Sequence, residues 1–537
     1  MKKAIFRSTL LALSLLLCIL MMMGCVNEET DEGCIHGYTE WTTVGEECQD
    51  MVSTRTCTRC GEVEEKRGSE DDHVWEKDFT FPSTCNRQGW ESYKCLICNK
   101  GKSEELPLSE EHSLGEYQYD ADRHYKVCSV CHGELEEAAH SYLEEKCQVC
   151  GVYESYCEIT LWVQNGYMAA YKFRERIAAF EEANKVTVKL TLKEIDSATA
   201  ASNILSGDSS ADVFCFSQDY LQPLVDAGAL MPLGYEAATR VTLSSSAAAV
   251  ASATEGGVLY GYPLYIGGRT SLLYYDKSLI SAEDATSLER LIEICEENGK
   301  SFRFQMSSGW GVEHFFLSTG CHSDWGLNKG WEYVSLDDNY NSEAGVIAAN
   351  GIMKLIQSTA FNDETYIYNN DGSTAVLITE ATWQSTAEWL FGENLGIATL
   401  PSFTVDGESY QIGSLSSTVM LGIKPTEDNE RAELLSSLAL WLTNAESQAE
   451  YFDAYRWCPT SLSVQTSAAV MAEAGYAERI EQYERSAPEK FKNLYWGTIA
   501  GGIYTDLSTA TTDEDILAAL KRYDDRVRLL FEKGEYS

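Results

Sequence analysis

Four Cys-x2-Cys pairs crowd into a stretch of chain that offers little else to fold around. They are Cys57-Thr-Arg-Cys60, Cys95-Leu-Ile-Cys98, Cys128-Ser-Val-Cys131 and Cys147-Gln-Val-Cys150. Histidine phrases recur between them: His36-Gly-Tyr, His73-Val-Trp, His112-Ser-Leu and His140-Ser-Tyr. One knuckle is thus written four times. Units this short and polar cannot bury enough apolar surface to fold alone, so a cross-link has to supply the folding energy. Disulfides would suit an exported chain. Zinc suits the pattern better, because thiolate and imidazole fill tetrahedral corners and a disulfide framework has no use for a histidine in phase with its cysteines. Metal binding would then be folding. The spacing suggests three structural zinc sites: Cys48, Cys57, Cys60 and His73; Cys85, Cys95, Cys98 and His112; His124, Cys128, Cys131 and His140. Cys34, His36, Cys147, Cys150 and Cys157 are left over, enough for a fourth site that the spacing does not assign. The glycine after Cys60 and after Cys150 permits the tight turn a knuckle needs.

The first 24 residues read as a targeting segment and not as fold. Lys2 and Lys3 precede an apolar run, and Met22-Met23-Gly24-Cys25 resembles the lipobox of bacterial lipoproteins, which implies cleavage before Cys25 and lipidation of its thiol. The competing reading is an uncleaved membrane helix over 8–27, which carries no charge and is long enough to span. The expected location is extracytoplasmic, on the outer face of a single-membrane bacterium, with membrane contact through the lipid anchor only. A formal charge of -42 repels nucleic acid and anionic lipid surfaces. Zinc-ribbon-like repeats resembling those of 25–157 occur in bacterial surface proteins as spacers or contact modules.

Composition changes near Tyr156. Beyond it Glu158-Ile-Thr-Leu-Trp-Val reads as a strand, 169–184 as an amphipathic helix, Val186-Thr-Val-Lys-Leu-Thr-Leu as an alternating strand, 198–205 as a helix, and the stretch from Asp212 as a buried strand. That order implies a mostly parallel sheet covered on both faces. A second α/β set runs over 301–378, and the tail from Glu427 is nearly all helix.

Several phrases along this part carry a resemblance. They are Ile159-Thr-Leu-Trp-Val with Phe180-Glu-Glu-Ala-Asn, the stretch from Asp212 to Leu233, Gly257-Val-Leu-Tyr-Gly-Tyr-Pro-Leu, Leu400-Pro-Ser-Phe, and Ser416-Ser-Thr-Val-Met-Leu-Gly-Ile. Together they resemble the extracellular solute-binding proteins of ABC importers, in the branch of maltose- and oligosaccharide-binding proteins. The resemblance implies an α/β, two-lobed periplasmic-binding-protein-like fold of type II over 158–537. Lobe 1 would take about 158–265 and 415–463, and lobe 2 about 266–412 and 464–537. The crossings would fall near 262–269, 410–416 and 461–466, and the lobes would close like a hinge.

Sugars present flat apolar faces ringed by hydroxyls, which aromatic rings and planar polar groups match. Carried over position by position, the resemblance implies aromatic platforms at Phe216, Trp310, Trp383 and Trp496, a hydroxyl-binding acid at Asp219, and a polar loop at Gln164 and Asn165. Arg269 and Trp457 are added from their place near the crossings. Gly267-Gly268 and Ser308 stand where the maltose-binding members carry acids, which leaves the sugar open. Asp219 could instead cap a helix beginning near Leu221. Trp389 and Trp441 read as core, Cys215, Cys295, Cys321 and Cys458 as buried thiols, and His314 and His322 as structural groups.

The implied function is capture of an oligosaccharide and its delivery to ABC permease subunits, by a monomer. A cationic ligand such as a polyamine or peptide is a second reading, and a surface adhesion or scaffold protein a third. No Ser-His-Asp set, phosphate loop or paired strand-end carboxylates can be assembled, so the chain reads as no enzyme.

Overall fold

The strands of the Cys/His region are short, charged and bounded by turns, so they pair locally and bury almost nothing. The computed structural model describes residues 34–45, 48, 51–67, 73–96, 98–165, 171–208, 210–327, 333–490 and 495–533. The expected leader and Cys25 lie outside them. Two units divide at His140/Ser141.

The first unit contains three antiparallel meanders of three strands. They are β1 (Thr42–Val44), β2 (Val52–Thr56) and β3 (Val63–Arg67); β4 (Trp75–Phe81), β5 (Gly89–Cys95) and β6 (Gly101–Leu106); β7 (Leu114–Tyr119), β8 (Arg123–Cys128) and β9 (Glu134–Ala139). In each sheet a Cys-x2-Cys turn joins the second strand to the third. The turn is closed by hydrogen bonds from Gly61, Asn99 and His132 amides to the Cys57, Cys95 and Cys128 carbonyls, each 2.9 Å. Those three residues all have positive φ, +74° at Gly61, +59° at Asn99 and +57° at His132. Only the first has the glycine that such a backbone favours. Among the described residues of 34–140, the buried side chains classed as hydrophobic are Cys48, Cys57, Cys95 and Cys128, and the polar His124 is buried as well. The sulfurs are the core.

The second unit is built on two sheets. The first runs, in spatial order, Val186–Glu194, Ser155–Val163, Val213–Ser217, Thr418–Ile423, Tyr262–Ile266 and Cys458–Pro459. Its first three strands are parallel, as expected, and Thr418–Ile423 then joins antiparallel to both its neighbours. The second sheet runs Phe361–Asn362, Ser301–Phe304, Thr374–Glu380, Ser271–Asp276 and Leu395–Ala398. Each has its own core. Phe180, Phe214, Leu421 and Leu438 belong to the first, and Phe302, Phe315, Ile352 and Tyr523 to the second.

The chain passes from the first sheet to the second over Ile266 to Ser271, and back beside Leu415–Ser416. The third passage lies further on than 461–466. Val464 and Val470 still pack on Phe452, and Tyr483 on Ala249, Ile266 and Cys458. The chain leaves at Ala487–Pro488, paired parallel to Leu415–Ser416, and Ile499, Leu507 and Leu530 then join the second core. No helix among the described residues is long and apolar enough to cross a membrane.

Candidate functional site

The first passage brings charge to the junction of the lobes because glycine lets the backbone through. A Cβ on Gly267 would stand 2.0 Å from Ser417 Oγ, and one on Gly268 1.9 Å from Thr382 Cγ2. At either position a side chain would force Ser417 or Thr382 to give way. The next residue, Arg269, spans the gap. Its guanidinium pairs with Glu380 at 3.0 Å and Glu489 at 3.5 Å and lies 4.8 Å from the centre of the Trp310 ring. Burial opposes its charge, but Glu489, Glu380 and Asp219 outweigh that and hold its pKa above the ordinary arginine value.

Two adjoining cavities meet at Arg269 and Glu380. One, about 340 Å³, is walled on the second lobe by Trp310, Trp383, Tyr366, Gln305 and His314. The other, about 490 Å³, is lined by Asp196, Gln164, Asp219, Thr382, Arg479 and Glu489, together with Trp457 and Tyr265.

Of the expected ligand-binding residues, Gln164, Asp219, Arg269, Trp310, Trp383 and Trp457 line this cleft. Trp383 is 46% exposed and makes a T-shaped contact with Tyr366 at 5.8 Å, so about half of its surface stays accessible. Trp457 is less free, with Tyr265 stacked on it at 4.4 Å. The Gln164 side-chain oxygen is already used, accepting from the Ser197 amide at 2.9 Å. Asp219 receives the Ser217 hydroxyl. Burial raises its pKa despite that bond and the nearby Arg269. It does not cap the following helix, since Leu221–Asp226 begins without a side-chain cap.

Asn165 is exposed and outside both cavities. Phe216 is fully buried and is corrected from platform to core. It lies on a central strand covered on both faces, and its ring fills the space that Gly422 leaves, 2.8 Å from a Cβ built there. The Trp496 side chain lies outside what the structure describes. Trp389, expected in the core, is 49% exposed, because helix Gln384–Phe391 turns that face outward while Ala387 and Phe391 face in. Trp441 does join the core edge, its indole N–H donating to the Arg176 carbonyl at 2.9 Å.

Sequence reasoning missed Glu380, Glu489, Tyr366 and Arg479. Glu380 was legible, since it ends strand Thr374–Glu380 inside the phrase that carries Trp383. Glu489 had no local signal; it reaches the cleft only because the third passage lies beside the second. The cleft therefore has carboxylates despite the glycines at 267–268.

The Cys/His groups assemble differently from the contiguous sets. Cys34, His36, Cys57 and Cys60 form one group; Cys48, His73, Cys95 and Cys98 a second; Cys85, His112, Cys128 and Cys131 a third. Within each, the donor atoms lie within 4.8 Å of one another. Cys48 cannot serve the Cys57 turn because β2 separates them, five extended residues or about 17 Å. Likewise β5 carries Cys95 away from Cys85. His124 sits within β8 and faces His140, with ring centres 5.6 Å apart, and neither belongs to the Cys128–Cys131 group. Cys34 and His36 gain a site. Cys157 stands alone on its strand, 3.1 Å from Arg431 Nη1.

The geometry fits a tetrahedral ion. Sulfur–sulfur distances are 4.0 Å for Cys34–Cys57, and 3.6 Å for Cys48–Cys95 and for Cys85–Cys128. A zinc tetrathiolate with bonds near 2.3 Å has edges of roughly 3.8 Å, whereas a disulfide needs about 2.05 Å. Each histidine turns Nδ1 to a sulfur, at 3.2, 3.5 and 3.4 Å for His36, His73 and His112. His36 Nε2 meets Glu62 at 3.0 Å, the arrangement that orients a metal-bound imidazole. Burial resists ionisation of Cys57, yet the backbone N–H groups of Cys60 and Arg59 bring its thiol down to about 6. The Cys131 backbone N–H, against burial, lowers Cys128 to about 5.

Compared with known proteins, residues 175–478 match the bacterial extracellular solute-binding protein family. No curated protein matches the chain. Among solved structures it is similar to the maltodextrin-binding protein MalE1 from L. casei BL23, with a TM-score of 0.58 and 19% identity, covering 69% of this chain and 98% of that one. The Listeria monocytogenes maltose-binding MalE, solved with maltose, gives 0.56 and 17%, covering 72% and 100%. A Staphylococcus aureus extracellular solute-binding protein, also solved with maltose, gives 0.56 and 15%, covering 70% and 98%. At these identities the likeness concerns the fold, and the family match spans more than half of the sequence. With a two-lobed α/β fold and a cleft at the crossing strands, this chain belongs to the bacterial extracellular solute-binding proteins, which bind substrates and do not transform them.

Proposed function

We propose that the protein captures an oligosaccharide between its lobes and hands it to an ABC permease, as a monomer lipid-anchored through Cys25 on the outer face of the cell membrane. Zinc would hold the Cys/His modules that stand between anchor and lobes. The observation carrying the ligand class is the exposed indole of Trp383 beside Tyr366 and Trp310, with Gln305 and Glu380 lining the same cavity and Asp219 the adjoining one. An apolar plate with acceptors at its rim matches the face and edge of a pyranose. A ligand that covered those half-buried acceptors and left them unmatched would bind poorly.

A cationic ligand is the less favoured reading. Glu380 and Glu489 already share Arg269, and Arg479 lines the same cavity, so the cleft offers no uncompensated cluster of negative charge. Titration by intrinsic tryptophan fluorescence and calorimetry with linear maltodextrins, β-linked glucans, xylans and spermidine separates the two. Saturable binding of a glycan supports the proposal. Binding of spermidine with no response to any glycan overturns it.

A further inference from the structure

No module in the first unit closes its own metal site in the second and third centres. His73 leads into β4, and Cys95 and Cys98 form the turn between β5 and β6, so the second sheet supplies three donors. The fourth, Cys48, hangs between β1 and β2 of the preceding sheet and reaches Cys95 at 3.6 Å. The third centre repeats the pattern. His112, Cys128 and Cys131 come from the third sheet, and Cys85, between β4 and β5 of the second, reaches Cys128 at 3.6 Å. The neighbour of Cys85 docks with it, Asn86 Nδ2 donating to the Val130 carbonyl at 2.8 Å. At the start of the series, Cys34 takes the place of the donor from a previous module.

We propose that the ions of the second and third centres are joints between modules, each held by three donors of one sheet and one thiolate lent by the sheet before it. The inference rests on the zinc reading and goes beyond it to what the metal does. No apolar layer performs this role, since the buried hydrophobic side chains described over 34–140 are the ligand cysteines themselves. The first two sheets each present a knuckle at one end of the central strand and a lent thiolate at the other, and the third presents a knuckle alone, so the modules engage in series and in one direction. With metal the array is a stiff spacer. Without it, or with a lent thiolate removed, adjacent sheets are tied only by the chain, and the acceptor sheet loses a quarter of its ligands.

The test compares the full chain with Cys48→Ser and Cys57→Ser, using bound zinc per chain and amide hydrogen exchange read by peptide. Cys48→Ser is expected to leave β2 and β3 protected as in the parent while β4, β5 and β6 lose protection at least tenfold. Cys57→Ser is expected to do the reverse. Loss of protection in β2 and β3 on Cys48→Ser, with β4 to β6 unchanged, would show that Cys48 serves its own sheet and would overturn the inference with zinc binding intact. Equal protection of all strands in both variants overturns it as well. A parent chain that carries no zinc and has its knuckle cysteines oxidised in pairs overturns the underlying zinc reading instead, and the zinc count tells these cases apart.

Discussion

Trp383 and Trp389 are six residues apart and almost equally exposed, at 46% and 49%, yet only Trp383 lines the cleft. Replacing each by alanine therefore separates place from chemistry. An indole side chain offers on the order of 200 Å², so about 100 Å² of Trp383 remains for a ligand to cover. A sugar ring stacked on one indole face takes about half of that. At ~25 cal/mol per Å² this gives about 1.3 kcal/mol. Contact of pyranose C–H groups with the π cloud, taken on the scale of aromatic pairs, adds about 1 kcal/mol. The sum, about 2.3 kcal/mol, is roughly a fortyfold rise in Kd. Calorimetry with the best glycan should show that rise for Trp383→Ala and less than a twofold change for Trp389→Ala. A loss below threefold at Trp383, or an equal loss at both, would mean that the indole face is not where the ligand rests.

Two further outcomes follow from the packing. Gly268→Ala places a methyl 1.9 Å from Thr382 Cγ2, an overpacking that should cost about 1–3 kcal/mol and lower Tm by several degrees; adding Thr382→Ser should recover most of it, and a thermal melt of the single and double variants decides. His314 is buried with Nδ1 hydrogen-bonded to the Trp310 carbonyl and Nε2 unpartnered, and burial pushes its pKa down to about 4. Because the folded value lies below the unfolded one near 6.5, the stability held by the neutral ring is complete above pH 6.5 and is lost as pH falls toward 4, by about 3 kcal/mol. Melts of His314→Gln against the parent between pH 4 and 7 should show the parent falling more steeply; parallel curves would refute the neutral, buried ring.

What the sequence could and could not show divides along the reach of each signal. The parallel start of the first lobe was legible because periodicity in 158–217 is local, and each strand there announces its own burial. The tryptophans at 310 and 383 came from the resemblance and not from periodicity; both line the second-lobe cavity, Trp383 just past strand Thr374–Glu380 and Trp310 at the start of helix Gly309–Ser318. Phe216 was misread because its strand looks alike from both faces; only the glycine at 422, two hundred residues away, shows which way the ring goes. Glu489 was invisible until the third passage had been placed beside the second.

The metal groups fail in a more instructive way. Cys48 and Cys57 are nine residues apart and seem to belong together, but a β-strand between them is a rod, and it carries its two ends apart by about its own length. Cys95, forty-seven residues away, is the closer partner at 3.6 Å. Had the intervening residues been a loop, the contiguous set would have been the cheaper closure. In a meander of short rigid strands, donors are shared between modules because each strand delivers its two ends to different neighbours. The same stiffness that lets polar hairpins exist without an apolar core also dictates that their metal ligands interleave.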